Sequence, residues 1–259
     1  MPEPTEYAPG TPSWIDIGAT DVDALKTFYT SLFGWTAEDA GPPELTGGYG
    51  MFRLNGLDVA GYSAQQDPGP PRWSMYVTVE DADKTAAIAT DAGGTVILEP
   101  MDVMDVGRMA VISDPQGAVF SIWQPRAHKG AGIVYEPATL GWTELNAIDL
   151  DGSRAFYSTV FGWTALTHEG EMQYTEFQLD GASIAGMMEL PEQARAMGAP
   201  PHWLVYFRVS GCDDFVGKAK KLGANVLMQP MDIEPGRFSV LMDPLGAVFA
   251  VIQMNETAA

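Results

Sequence analysis

The chain has 259 residues, 46% hydrophobic and 19% charged, which is enough for a sizeable core and one or two domains. Acidic side chains outnumber basic ones 34 to 14, for a net charge of −20, with no basic run among them. Phosphate backbones and anionic lipid surfaces are therefore disfavoured as partners, and the charge reads as a source of solubility. The opening MPEPTEYAPGTP has no positive or apolar stretch, no window nears the ~18 apolar residues of a membrane helix, and Cys212 is the single cysteine. The expectation is a cytoplasmic protein without disulfides.

In chain order, Trp14, Asp16 and Gly18 alternate with Ile15, Ile17 and Ala19, a strand with one apolar face. Asp21 is placed to cap a helix whose inward stripe is Leu25, Phe28, Tyr29 and Leu32, and Gly34 ends it. Two strand-like runs, Gly48–Leu54 and Asp58–Ser63, flank an Asn55-Gly56 turn. A strand over Ser74–Val79 follows, then a helix over Ala82–Thr90 stopped by Gly93 and Gly94, then three more strands. The last, Val119–Gln124, leaves a DPQG turn suited to a tight reversal.

The same text then returns. DVDALKTFYTSLFGW from Asp21 recurs as DLDGSRAFYSTVFGW from Asp149, PPRWSMYV as PPHWLVYF, EPMDV as QPMDI, Gly107-Arg108 as Gly236-Arg237, and DPQGAVF as DPLGAVF. Order and spacing persist together, so this is a duplication with very small loop changes. The second helix stripe is Ser153, Phe156, Tyr157 and Val160, stopped by Gly162, and the second hairpin joins Gln173–Leu179 to Ser183–Met188 around Asp180-Gly181. The domain reading is 8–127, a linker over 128–139, and 140–255. Each copy reads βαβββ twice, an α+β chain of four modules. Module one can close with module two or with module four, and the letters do not choose between them.

The run D-x6-F-Y-x4-G-W with a later D-P-x-G-x-x-F resembles the vicinal oxygen chelate superfamily of glyoxalases, extradiol dioxygenases and bleomycin-resistance proteins. The P-P-x-W and G-R segments are similar to a two-domain actinobacterial group within it, labelled hydroxylase-like or culture-filtrate antigen. The resemblance covers nearly the whole chain and implies that paired modules form half-open, mixed-sheet barrels. It also implies metal-ligand positions on the first, fifth and eighth strands of each barrel. Carried over by spacing, these are Trp14, Ser74 and Ser121 in one copy and Trp142, Leu204 and Ala250 in the other. None is an imidazole, carboxylate or thiolate, so the expectation is no metal and no other cofactor.

Strand parity places Asp16 beside Trp14 on one inward face, and Glu144 and Asn146 beside Trp142 on the other. Arg72, Ser74 and Tyr76 share a face on the fifth strand, matched by His202, Leu204 and Tyr206, while Arg108 and Arg237 open the seventh strands and Trp123 lies on the eighth. The ligand-binding candidates are thus Trp14, Asp16, Arg72, Tyr76, Arg108, Trp123, Trp142, Glu144, His202, Tyr206 and Arg237. The plain reading makes the indoles core residues and pairs Asp16 and Glu144 with backbone donors or with Arg108 and Arg237. The functional reading makes each indole–carboxylate pair a platform for a flat or cationic molecule. Candidate proton-transfer groups are Asp16, Glu144 and His202. His128 falls in the linker and His168 in a loop beside Glu169 and Glu171, too scattered for a metal cluster. Cys212 begins a helix beside Asp213 and Asp214, which disfavours a thiolate nucleophile. Met101, Met104, Met109, Met187 and Met188 fill core gaps or form an adaptable pocket wall.

The leading expectation is a metal-independent binder of an aromatic or cationic natural product. The alternative is a metal-independent isomerase, lyase or hydroxylase-like enzyme that uses the cavity carboxylates. Behind these stand a metal-dependent lyase or dioxygenase with relocated ligands, such as Glu144, His202 and a water, and an interaction protein with vestigial cavities. A monomer is preferred, because the duplication supplies what single-domain relatives obtain by dimerising.

Overall fold

A computed structural model describes residues 3–65, 69–168, 173–196 and 198–255. The first half runs β1 (Pro12–Ala19), α1 (Val22–Phe33), β2 (Thr36–Asp39), α2 (Pro43–Thr46), β3 (Gly50–Leu54), β4 (Leu57–Ala64), β5 (Arg72–Thr78), α3 (Ala82–Asp91), β6 (Thr95–Val103), β7 (Gly107–Ser113) and β8 (Val119–Pro125). The second runs β9 (Leu140–Ala147), α4 (Leu150–Phe161), β10 (Thr164–His168), β11 (Tyr174–Leu179), β12 (Ala182–Glu189), α5 (Glu192–Ala196), β13 (His202–Arg208), α6 (Cys212–Lys221), β14 (Asn225–Ile233), β15 (Gly236–Met242) and β16 (Val248–Met254). Both are eight-stranded mixed sheets, ordered β2-β3-β4-β1-β5-β8-β7-β6 and β10-β11-β12-β9-β13-β16-β15-β14.

This order decides the module pairing. β1 runs antiparallel to β5, and β9 to β13, so module one closes with two and module three with four. Within each module the crossover helix returns the chain parallel to its first strand, β1 with β4 and β5 with β8. The helix ends are as expected. Asp21 accepts from the backbone of Ala24 and Asp149 from that of Gly152, both at 2.9 Å, while Gly34 and Gly162 close α1 and α4 in the left-handed region that glycine enters without strain.

The motifs that reveal the duplication mainly lock one half to the other. Tyr29 of α1 donates to Asp243 of the second DPxG turn (2.9 Å) and accepts from the indole of Trp73 (3.0 Å). By pseudo-symmetry Tyr157 of α4 donates to Asp114 (3.1 Å) and accepts from Trp203 (2.9 Å). The G-W tryptophans cross as well: Trp35 donates to the carbonyl of Ala138 and Trp163 to that of Gly10. Both tyrosines are fully buried, with their phenols pushed up by burial and by the facing carboxylates. One continuous core therefore spans both halves.

The sequence reading omitted four short elements. β2 and α2 carry little apolar patterning and are almost wholly exposed, and β10 and α5 are mostly exposed. Without a buried face, the periodic signal has no origin.

Candidate functional site

β1 is the centre of the first sheet and is buried along nearly its whole length, with one face on the helices and the other in the barrel. On the barrel face, Trp14 donates through Nε1 to the Tyr49 hydroxyl at 2.9 Å. Tyr49 in turn donates to Asp16 Oδ2 at 3.2 Å, and Tyr76 donates to the same oxygen at 2.7 Å. Asp16 is 9% exposed, and burial pushes its carboxyl up to about 6 against the opposing pull of Tyr76, Tyr49 and the charge of Arg72. Tyr76 stands across from Ser121 on β8.

β9 repeats two links of this chain. Trp142 donates to the Tyr174 hydroxyl and Tyr206 to Glu144 Oε1, each at 2.9 Å. Burial again raises the carboxyl, and the neighbouring Tyr206 and Tyr174 hydroxyls partly offset this. Tyr49 and Tyr174 were missed from the sequence, although they open the matching segments YGMFRLNG and YTEFQLDG. Their hydroxyls reach the carboxylates because Gly61 and Gly186, in register with Asp16 and Glu144, have no side chain; a Cβ there would meet the phenol oxygens at 2.0 and 1.9 Å.

The two barrels close differently. Over the first, residues after β8 fold back: Trp123 donates to the His128 carbonyl (2.9 Å), Ala131 N–H to Ser13 O (2.8 Å) and Gly132 N–H to Asp58 O (2.7 Å). The His128 ring meets Trp14 edge-on at 4.5 Å, and burial lowers its pKa. In the second, Trp142 stays partly exposed. Leu204, Tyr206, Ala250 and Ile252 form a separate small apolar cluster rimmed by the half-buried Phe238 and Val240.

Several expected site residues lie elsewhere. Arg108 and Arg237 face the helix side of their sheets, not the barrels. Arg108 binds Asp83 with two nitrogens (2.7 and 2.8 Å) and Asp102 (3.1 Å), and Arg237 binds Asp213 and Asp232. A guanidinium fork is better satisfied by two exposed carboxylates, one at a helix start and one on the adjoining strand, than by one buried acid, and tyrosines rather than arginines partner Asp16 and Glu144. Arg72 remains at the mouth of the first barrel. His202 turns its Nδ1 to the Pro200 carbonyl (2.8 Å), and no hydrogen bond links it to Glu144. His168 ends β10 and pairs with Glu176 at 3.0 Å, while Glu169 and Glu171 lie outside the described residues. The Cys212 thiol is pushed up to about 11 by burial and Asp213, which removes it as a nucleophile at neutral pH. Met101 and Met104 are 45% and 54% exposed, whereas Met188 lies in register with Asn146.

Two surface clefts, about 540 and 470 Å³, lie outside the barrels, one between α3 and β6 and one between the end of α3 and α4. Neither brings together a set of buried titratable groups.

A signature of the Glyoxalase/Bleomycin resistance protein/Dioxygenase superfamily matches residues 11–122 and again 139–251. The chain belongs to this superfamily. It is 41% identical over 261 residues to CFP32 of Mycobacterium tuberculosis, whose glyoxylase name is provisional, covering 98% of both chains. It is 38% identical to the anthracycline biosynthesis protein DauV of Streptomyces sp. strain C5, covering 97% of this chain and 96% of that one. In fold it matches the Mn(II)-bound glyoxalase of Novosphingobium aromaticivorans (TM-score 0.64, 19% identity, 95% and 82% coverage) and the 2,3-dioxygenase LapB of Pseudomonas sp. KL28 (TM-score 0.63, 14% identity, 94% and 91% coverage).

The residues present do not fit a superfamily metal. Trp14, Ser74 and Ser121, with Trp142, Leu204 and Ala250, supply no imidazole or carboxylate, and no group of three or more His, Cys, Asp or Glu among the described residues could hold an ion. Among the described residues, no helix is long and apolar enough to cross a membrane.

Proposed function

We propose that this protein binds a flat aromatic molecule bearing a cationic or hydrogen-bond-donating group, and does so without a metal. The observation that carries this reading is an indole bonded to one tyrosine beside a buried carboxyl bonded to another, built twice on the inward face, where the superfamily's ligand positions offer no metal donors. An indole with its N–H already satisfied presents a ring face, and a carboxylate held by a tyrosine attracts a cation or a donor. The likeness to an anthracycline biosynthesis protein supports the same class, because an anthracycline joins a planar ring system to an amino sugar. Titrating the protein with an anthracycline and with simpler flat cations, read by tryptophan emission, tests it. Saturable quenching is expected, and an unchanged spectrum across the panel would remove the reading.

A second reading rests on the raised carboxyls. A carboxyl pushed up to about 6 by burial, as in Asp16, holds and releases a proton close to neutral pH and could serve a metal-free isomerase or lyase; burial shifts Glu144 in the same direction. In that case Glu144→Gln and Asp16→Asn abolish turnover while binding persists.

A further inference from the structure

The two barrels differ at the rung next to the carboxyls. Gly18 of β1 occupies the place that Asn146 occupies on β9. Asn146 is 4% exposed, and its Nδ2 meets no acceptor in hydrogen-bonding geometry, although it stands close enough to Glu144 to favour that carboxylate. A buried amide donor left open is costly, and side chains that bear such a cost tend to have a partner absent from the bare protein. Asn146 alternates with Trp142 and Glu144 on one face, so all three point into the barrel. Glu144 has one oxygen held by Tyr206. Around them stand Leu204, Ala250 and Ile252, with Phe238 and Val240 half-exposed at the rim. The first barrel has no equivalent amide, and His128 packs on its indole.

We infer that the second barrel alone is the ligand site, and that Asn146 and Glu144 form a donor–acceptor floor for a planar ligand carrying a carbonyl next to a hydroxyl, as in a hydroxyquinone. The Asn146 amide donates to the carbonyl, Glu144 accepts from the hydroxyl, and Trp142 with the apolar wall covers the rings. This rests on the aromatic-binding reading above and narrows it to one barrel and one ligand pattern.

The test uses the full chain with two probes, 1,8-dihydroxyanthraquinone and proflavine, the latter flat and cationic but without a carbonyl. Calorimetry should show one quinone per chain. Asn146→Leu, with the same number of side-chain heavy atoms but without the donor, should weaken the quinone at least tenfold, leave proflavine within twofold, and raise the Tm, since an open buried amide is removed. The raised Tm also separates a lost contact from a lost fold. Two equivalent quinone sites per chain, or full quinone affinity in Asn146→Leu, would overturn the inference while leaving the aromatic-binding reading intact. If neither probe bound the wild-type protein, both would fall.

Discussion

The first and second barrels share a scaffold and differ in their contents. Both have an indole bonded to a tyrosine lent by the strand segment after the helix, and a buried carboxyl bonded to a second tyrosine; the link from the first tyrosine to the carboxyl is made only in the first barrel. The first, however, is plugged by its own chain through His128 and Trp123, and its indole merges with the main core. The second keeps a partly exposed Trp142, apolar residues where the first has Ser74, Ser121 and Trp123, and an unpaired amide. Duplication copied the framework into both halves, where Tyr29–Asp243 and Tyr157–Asp114 tie each to the other. Other inward rungs differ, with Gly18, Ser74, Ser121 and Trp123 in the first barrel against Asn146, Leu204, Ala250 and Ile252 in the second.

Truncating the two indoles should separate the barrels most clearly. Trp14→Ala removes a ring buried on all sides and should cost about 4 kcal/mol, whereas Trp142→Ala should cost about 2 kcal/mol, both read by urea unfolding. Equal losses would mean that the barrels are equally packed. The cross-ties should show the opposite, near equality. Asp114→Ala and Asp243→Ala each free a buried tyrosine hydroxyl and the backbone donors of a DPxG turn, and each should cost about 3 kcal/mol.

The acid of the first barrel gives a pH signature. Its carboxyl titrates near 6 when folded and near 3.8 when unfolded, so the folded state holds the proton more tightly. Stability is then greatest below the unfolded value and falls as pH rises from about 4 to 6. Asp16→Asn should flatten that decline and gain roughly 2 kcal/mol at pH 7. A decline that survives in the variant would assign it to other groups. The smallest effect is expected at the plug: His128→Ala should cost about 1 kcal/mol and raise the accessibility of Trp14 to iodide or acrylamide quenching, with Trp142 unaffected.

The scaffold was legible because capping aspartates, helix stripes, stop glycines and the DPxG turns each carry a local signal, and each appeared twice. The site was half legible. Strand parity found Trp14, Asp16 and Tyr76 and their counterparts Trp142, Glu144 and Tyr206, since alternation on a central strand is rigid. Tyr49 and Tyr174 escaped because they precede or open a strand and reach the carboxyls only through the gap left by Gly61 and Gly186, which is a three-dimensional coincidence. Arg108 and Arg237 were assigned inward because a buried acid needs a donor, but phenols met that need and the guanidinia paired with exposed aspartates instead. The pairing of modules depends on long-range strand order, on which local letters are silent.

Recognition of a flat molecule without a metal is decided by calorimetric titration of chelator-stripped protein with an anthracycline, repeated in the presence of manganese or iron(II). The same affinity and stoichiometry are expected in both conditions. Binding that appears only after a divalent ion is restored would contradict it.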